Sequence, residues 1–425
     1  LPAPPDCPQR DERLGWTGDT QAFCCTAAYN ADVDGFFHKW LQDARDSQAE
    51  NGMYPDVIPK VRVVGWGGAA WSDAGIIVPY TMWKMYADTD IIREHYASME
   101  RYMDWLATTD LSGPNATYGD WLAYEPTDAR YISVAYYALD ARYMAAMSRA
   151  IDRADRAAHY DSLFEQVRDH FRRIYCNAEG DLNPEVRTQT GYLLALRNDL
   201  LLPERRPAAV AALKQKIIDN GYKLSTGFVG SCILNEVLAE FGENNLAYSL
   251  LLQTENPSWL YSVHQGATTI WERWNSYTKA TGFGDVGMNS FNHYAYGAVQ
   301  EWMYRHIAGI ETTEQAPGFA HPILQPKPDT RSAEEIPAGQ EKITWVRTSF
   351  ASPVGLIESA WDMTDGFTYT CRVPVAATLH LPLIGNAETL VVNGVAHKPD
   401  EFKLCPVGKG VTIELAPGAY TFEQK

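Results

Sequence analysis

Between Asp6 and Asp19 the chain sets three kinds of group side by side: carboxylates at Asp6, Asp11, Glu12 and Asp19, guanidinium groups at Arg10 and Arg13, and the indole of Trp16. Pro8, Gly15 and Gly18 punctuate the stretch, which disfavours a regular helix or strand and favours a loop that aims several polar groups at one point. Carboxylates beside an indole face suit a sugar. Hydroxyls donate to carboxylates in pairs, and the apolar face of the sugar ring stacks on the aromatic. A solvated, self-neutralising turn would use the same residues, so this stretch alone leaves the two readings even.

The acid and aromatic pairing recurs. It appears at Trp71-Ser72-Asp73, at Tyr118-Gly119-Asp120-Trp121 and at Trp271-Glu272-Arg273-Trp274, the last followed by Asn292-His293-Tyr294. Glu12 and Glu272 stand out, each flanked by Arg and Trp. Glycoside hydrolysis needs such a pair: one carboxylic acid protonates the leaving oxygen, and the other acts as a nucleophile or as a base on water, depending on the gap between them. Glu272 could equally be salt-bridged to Arg273 at a helix end. Asp6, Asp19, Asp73 and Asp120 could hold hydroxyls or could cap helices. Trp16, Trp71 and Trp121 could be stacking platforms or core, and His293 a ligand for substrate or base or a structural group at a helix start. Recurrence in four loops of one helical array raises all of them together.

The elements that must position these loops are helical. Residues 20–48 read as one helix, and turn signals follow at Asn51-Gly52 and between Pro55 and Pro59. A helix capped by Asp90 carries Ile92, Tyr96, Met99, Met103 and Leu106 on one face. Past Pro126, Ile132, Ala135, Tyr136, Leu139, Tyr143, Ala146, Met147 and Ala150 keep a 3.6-residue period, and a partner places Leu163, Val167, Phe171 and Ile174 alike. Pairs follow at about 185–201 and 207–220, then 228–241 and 244–253, and a last helix ends near Gly309. Antiparallel pairs joined by loops rich in Trp, Gly and Asp imply a toroid of helical hairpins with the loops at one end. Beyond it, Pro317, Pro322, Pro326 and Pro328 read as a linker. Short alternating segments then take over at 343–347, 367–373, 378–381, 390–392, 411–415 and 420–422, an all-β unit and a sandwich by base rate. The division expected is 1–309 for a helical domain and 310–425 for a β domain.

Composition sets outer limits. With 46% hydrophobic and 21% charged residues in 425, the chain has ample core for folded domains. A formal charge of −17 argues against nucleic acid as a partner but not against neutral glycans. Cys7, Cys24, Cys25, Cys176, Cys232, Cys371 and Cys405 show neither CxxC nor Cys/His ligand spacing, so no metal site, cofactor or regular disulfide framework is indicated. No apolar run is long enough to span a membrane, and the compartment stays open.

The run from Asp6 to Asp19 resembles the signature of the α-L-rhamnosidases of glycoside hydrolase family 78, and the motifs at Trp71, Tyr118, Thr269–Trp274 and Asn292-His293 match that family in order along the whole chain. The resemblance implies an (α/α)6-barrel catalytic domain, a trailing β-sandwich, a terminal L-rhamnose as the substrate group and an inverting mechanism without a covalent intermediate. Carried over residue by residue, Glu12 matches the general acid and Glu272 the general base. Asp6, Arg10, Asp19 and His293 match residues that hold rhamnose hydroxyls, and Trp16, Trp71 and Trp121 match aromatic walls. Asp73 and Asp120 are carried over as neighbours of the pocket. Asp6 and Asp19 would raise the pKa of Glu12, whereas Arg10 and Arg13 would oppose that shift. One departure stands out. The family places β domains and the first barrel helix ahead of the signature, where only Leu1–Pro5 precede it here, so the expectation is a fragment or a partner chain supplying that part. The alternatives are an inverting hydrolase of another sugar on the same barrel and a catalytically silent carbohydrate-binding homologue.

Overall fold

The apolar periodicity between residues 17 and 307 is realised as helices in two layers, in a computed structural model that describes residues 12–62, 64–406 and 408–425. In chain order they are α1 (Thr17–Asn30), α2 (Asp34–Asp46), α3 (Ala74–Tyr86), α4 (Thr89–Leu106), α5 (Ala129–Ala150), α6 (Ala154–Tyr175), α7 (Gln189–Arg197), α8 (Arg206–Asp219), α9 (Phe228–Glu240), α10 (Asn244–Leu251), the short α11 (Trp259–His264) and α12 (Val299–Trp302). A 3-10 turn at Ala295–Ala298 leads into α12, and a π turn at Met303–Ile307 leads out of it. Helices α1, α3, α5, α7, α9 and α12 each pack on the next, and α12 returns to α1, so the ring closes. Outside it lie α2, α4, α6, α8 and α10. No helix precedes α1 among the described residues.

Sequence decides which layer a helix joins. In α5, Tyr131, Val134, Tyr137, Ala141, Met144 and Ser148 are buried as well as the apolar stripe, which suits a helix covered on most sides. In α6 only Ala157, Tyr160, Val167, Phe171 and Tyr175 are buried, a single stripe with a charged outer face. That stripe corrects the expected one, because Ile174 is 43% exposed and Tyr175 takes the inward place. The helix read at 20–48 is two. Extended backbone at Ala31, among the polar Asn30, Asp32 and Asp34, ends α1 and lets α2 turn outward. Asp88, not Asp90, caps α4, accepting from the amides of Asp90 and Ile91 at 2.8 and 3.1 Å.

The C-terminal part is a β-sandwich. One sheet runs in the order Val395–His397, Leu390–Val392, Gly418–Gln424, Thr368–Val373, Gly355–Asp362, Trp345–Ser352. The other runs Lys403–Leu404, Gly410–Leu415, Ala377–Pro382, Ile323–Leu324, Ile310–Glu311. Alternate residues turn inward, as Ile357, Ser359 and Trp361 do in the strand the sequence reading passed over. The Pro-rich stretch is a clamp and not a loose linker. Arg331 and Asp329, both 0% exposed, pair through two hydrogen bonds of 2.9 and 2.7 Å, while Arg331 Nη1 also donates to Ser249 Oγ on α10 at 3.3 Å. Tyr248 on the same helix donates to the Lys327 carbonyl. Trp361 and Ser359 donate to the carbonyls of Ile307 and Ala308, and Tyr29 on α1 donates to that of Ile310, so the sandwich docks on the ring.

Candidate active site

The loops that lead into the inner helices gather at one end of the ring. The first, Glu12 to Trp16, feeds α1. Its path is fixed by a bridge between Trp16 and Val57 and by the Ile58 amide donating to the Gly15 carbonyl at 2.9 Å. Trp16 Nε1 donates to Glu12 Oε1 at 2.6 Å, so the indole holds the carboxylate on the cleft side. One turn into α1, Asp19 is 2% exposed, with Oδ1 at 3.4 Å from His293 Nε2.

The opposite wall comes from two segments laid against each other before α12. The Glu272 amide donates to the Ser290 carbonyl at 2.9 Å, the Ser290 amide returns to Glu272 Oε2 at 3.1 Å, and the His293 amide donates to the Ile270 carbonyl at 2.9 Å. This ladder presents Glu272 and His293 together, 3% and 2% exposed. The His293 ring rests 5.2 Å from Phe228, the first residue of α9.

Between the walls lies a cleft of about 220 Å3, lined by Glu12, Trp16, Asp19, Trp71, Tyr118, Trp121, Phe228, Glu272, Met288 and His293. Seven of the residues picked from sequence therefore meet in one place. Tyr118 sits at the centre of the aromatic wall, its ring 4.6 Å from Trp71, 5.4 Å from Trp16 and 6.4 Å from Trp121. Three carboxyl groups, a histidine and apolar ring faces are what a pocket for one sugar ring requires. A carboxyl on each wall also lets a proton be given from one side and taken on the other.

Asp73 and Asp120 stand beside the cleft, and neither lines it. Asp73 accepts from the Ala70 amide and from the Tyr102 hydroxyl at 2.5 and 2.9 Å. Burial pushes its carboxyl up, and the adjoining Asp140 is pushed well above the carboxylate range by burial and by the charge of Asp73. Asp120 accepts from Thr190 Oγ1 and from the amides of Gly227, Val229 and Gly230 at 2.9, 2.8 and 3.2 Å. Burial raises its carboxyl and these donors hold it back. Both acids are thus occupied in building the walls. Asp6 and Arg10 lie outside the described residues.

Sequence reasoning passed over Tyr118, Phe228 and Met288 as lining groups. Tyr118 had a signal, standing in the same short motif as Asp120 and Trp121, whereas Phe228 looks like any apolar residue of an inner helix. Gly18, Trp71 and Phe228 also roof a second cavity of about 230 Å3 inside the ring, where Glu236, Glu240, Glu301, Arg197 and Arg305 lie. For a cation, one group of described residues has suitable spacing, Asp34, His38 and Asp88 on the outer layer. There Asp88 already caps α4 and meets His38 Nε2 at 2.5 Å.

A family model described as the bacterial α-L-rhamnosidase six-hairpin glycosidase domain matches residues 2–307, and one for the bacterial α-L-rhamnosidase C-terminal domain matches residues 309–397. An α-L-rhamnosidase of Formosa agariphila is 37% identical over 99% of this chain and 46% of its own length. One of Streptomyces avermitilis is 38% identical over 89% of this chain and 35% of its own. The chain thus spans less than half the length of these relatives. Among solved structures, the S. avermitilis α-L-rhamnosidase complexed with L-rhamnose superposes with a TM-score of 0.89 at 34% identity, covering 100% of this chain and 39% of that one. The native enzyme from Aspergillus terreus gives 0.85 at 29% identity, over 99% and 47%.

Proposed function

The chain belongs to the bacterial α-L-rhamnosidase family, and from that footing we propose that it hydrolyses terminal α-L-rhamnosides by an inverting, single-displacement reaction between Glu12 and Glu272. Glu12, protonated, gives its proton to the glycosidic oxygen as the bond from C1 to that oxygen breaks. Glu272, ionised, takes a proton from water as the water oxygen bonds to C1 from the other face. Asp19 and His293, packed together at the base of the cleft, hold sugar hydroxyls, as do Asp6 and Arg10. Trp16, Trp71 and Trp121 enclose the ring. The catalytic part is residues 1–309, with 310–425 as its β unit.

The observation that carries this reading is the shared cleft: Glu12 and Glu272, far apart in the chain, line one sugar-sized space walled by tryptophans. The test uses the 425-residue chain with methyl α-L-rhamnoside, whose leaving group needs a proton. Glu12→Gln and Glu272→Gln each lower turnover about a hundredfold to ten-thousandfold with unchanged circular dichroism, and NMR of the first product finds β-L-rhamnose. Near wild-type turnover in either variant, or α-L-rhamnose as first product, refutes it.

A further inference from the structure

Asp56 belongs to none of the acid and aromatic motifs, yet it ties three of their loops together. It is 1% exposed. Its Oδ1 accepts from the Gly68 amide at 2.8 Å and from Ser72 Oγ at 3.0 Å, and its Oδ2 accepts from the Tyr118 hydroxyl at 2.9 Å. Its main chain reaches the first loop, since the Asp56 carbonyl accepts from both the amide and the hydroxyl of Thr17 at 3.0 and 2.9 Å. The approach is close enough to require glycine: a Cβ on Gly65 would lie 2.8 Å from Oδ2, and one on Gly68 would lie 3.0 Å from Oδ1 and 3.1 Å from the Tyr118 ring.

From Asp56 the contacts run onward to Glu12. Burial, and next the charge of Asp56, push the Tyr118 phenol well above its ordinary value, so it remains a donor into that carboxylate. Held there, the Tyr118 ring meets Trp16 edge to face at 84°, and Trp16 donates to Glu12 Oε1 at 2.6 Å. Glu12 is itself exposed and sits on a loop, and Trp16 is one of the groups that hold its carboxylate, so what steadies Trp16 bears on its aim.

We propose that Asp56 is a positioning residue for the proton donor: acting through Tyr118 and Trp16, it aims the Glu12 carboxyl at the glycosidic oxygen. The inference rests on the reading of Glu12 as the general acid. Misaiming the acid delays the transfer of its proton to the leaving oxygen while leaving the attack of water untouched. The loss therefore grows with the basicity of the leaving group.

The test compares 2,4-dinitrophenyl α-L-rhamnoside, whose leaving group departs without a proton, with methyl α-L-rhamnoside, whose leaving group needs one. Asp56→Asn lowers kcat on the methyl glycoside about 30-fold and on the dinitrophenyl glycoside about threefold or less, with KM within about twofold. Tyr118→Phe, which keeps the ring and removes the donor, shows the same selectivity, and the double variant is no worse than Asp56→Asn. Equal losses on the two substrates, additive losses in the double variant, or no loss at all overturn the inference while leaving the proposed function standing. If Asp56→Asn does not fold, Tyr118→Phe decides alone: a selective loss supports the proposal and a uniform or absent loss overturns it. Failure of the wild-type chain to cleave either glycoside overturns the functional reading and this inference with it.

Discussion

Asp120→Ala tests the claim that this acid builds the wall and does not bind the substrate. The substitution removes the acceptor for the Thr190 hydroxyl and for three amides at the start of α9, all within the buried interior. The hydroxyl can rotate to another acceptor, and the amides cannot. A buried donor left unmet costs about 1–3 kcal/mol, while losing a helix cap alone costs about 1 kcal/mol. With water reaching one of the three amides, two remain unmet and the sum is about 2–6 kcal/mol for Ala. Asn keeps an oxygen for Val229 and Gly230 but turns an amide toward Gly227, so about 2 kcal/mol is expected. Urea unfolding followed by far-UV circular dichroism gives the difference at constant m. Phe228 follows Gly227 directly, so loosening this start also moves a residue that lines the cleft. An Ala variant within about 1 kcal/mol of wild type would show that those amides find other acceptors, and the structural role assigned to Asp120 would fall.

Burial first, then Glu301 and Glu240 against the opposing Arg305 and Arg197, push Glu236 up to about 8 from its ordinary 4.5. A carboxyl raised on folding contributes stability that is complete below 4.5 and lost as pH rises through about 8. Glu236→Gln, always neutral, therefore has the flatter profile of unfolding free energy across that window, by up to about 1.4 kcal/mol per pH unit, and parallel profiles refute the assignment. Gly18→Ala puts a methyl 2.5 Å from the Trp71 indole and must push that ring into the cleft. A rise of about tenfold or more in KM for an aryl rhamnoside is expected, and unchanged kinetics would show that the wall yields freely. Arg331→Ala strands Asp329 in the interior and costs about 3–5 kcal/mol. The volume-matched pair Arg331→Met with Asp329→Leu costs less, and a double variant less stable than the single would contradict the clamp.

The helices of both layers were legible because each keeps an apolar stripe at a 3.6-residue period, whereas the layer each joins was not, since the broad burial of α5 and the single stripe of α6 show only in the fold. The break at Ala31 was not legible either, because apolar residues resume at helical density on both sides of it, although Asn30, Asp32, Asp34 and Gly35 interrupt them. Among site residues, the acid and tryptophan loops announced themselves by recurrence. Asp73 and Asp120 shared that pattern for a different reason: a loop entering an inner helix needs a carboxylate to satisfy buried amides. Asp56 had no local signal at all, since its importance comes from partners at Thr17, Gly68 and Tyr118 that only folding brings near. The strand Gly355–Asp362 was missed although its alternation is regular, because a buried Ser359 stands where an apolar residue was sought.

The ring closes between its first helix and its last, with Thr26 donating to the Ala298 carbonyl and Asn30 and Gln300 exchanging side-chain hydrogen bonds. Glu12 immediately precedes one of those helices, and the segment holding Glu272 and His293 immediately precedes the other. On the ribosome the two halves of the cleft are therefore made far apart in time. A nascent chain carries Glu12 well before Glu272 is made, and the two cannot meet until the residues around 295–307 have emerged and docked, so the cleft is complete only when the helical ring is finished.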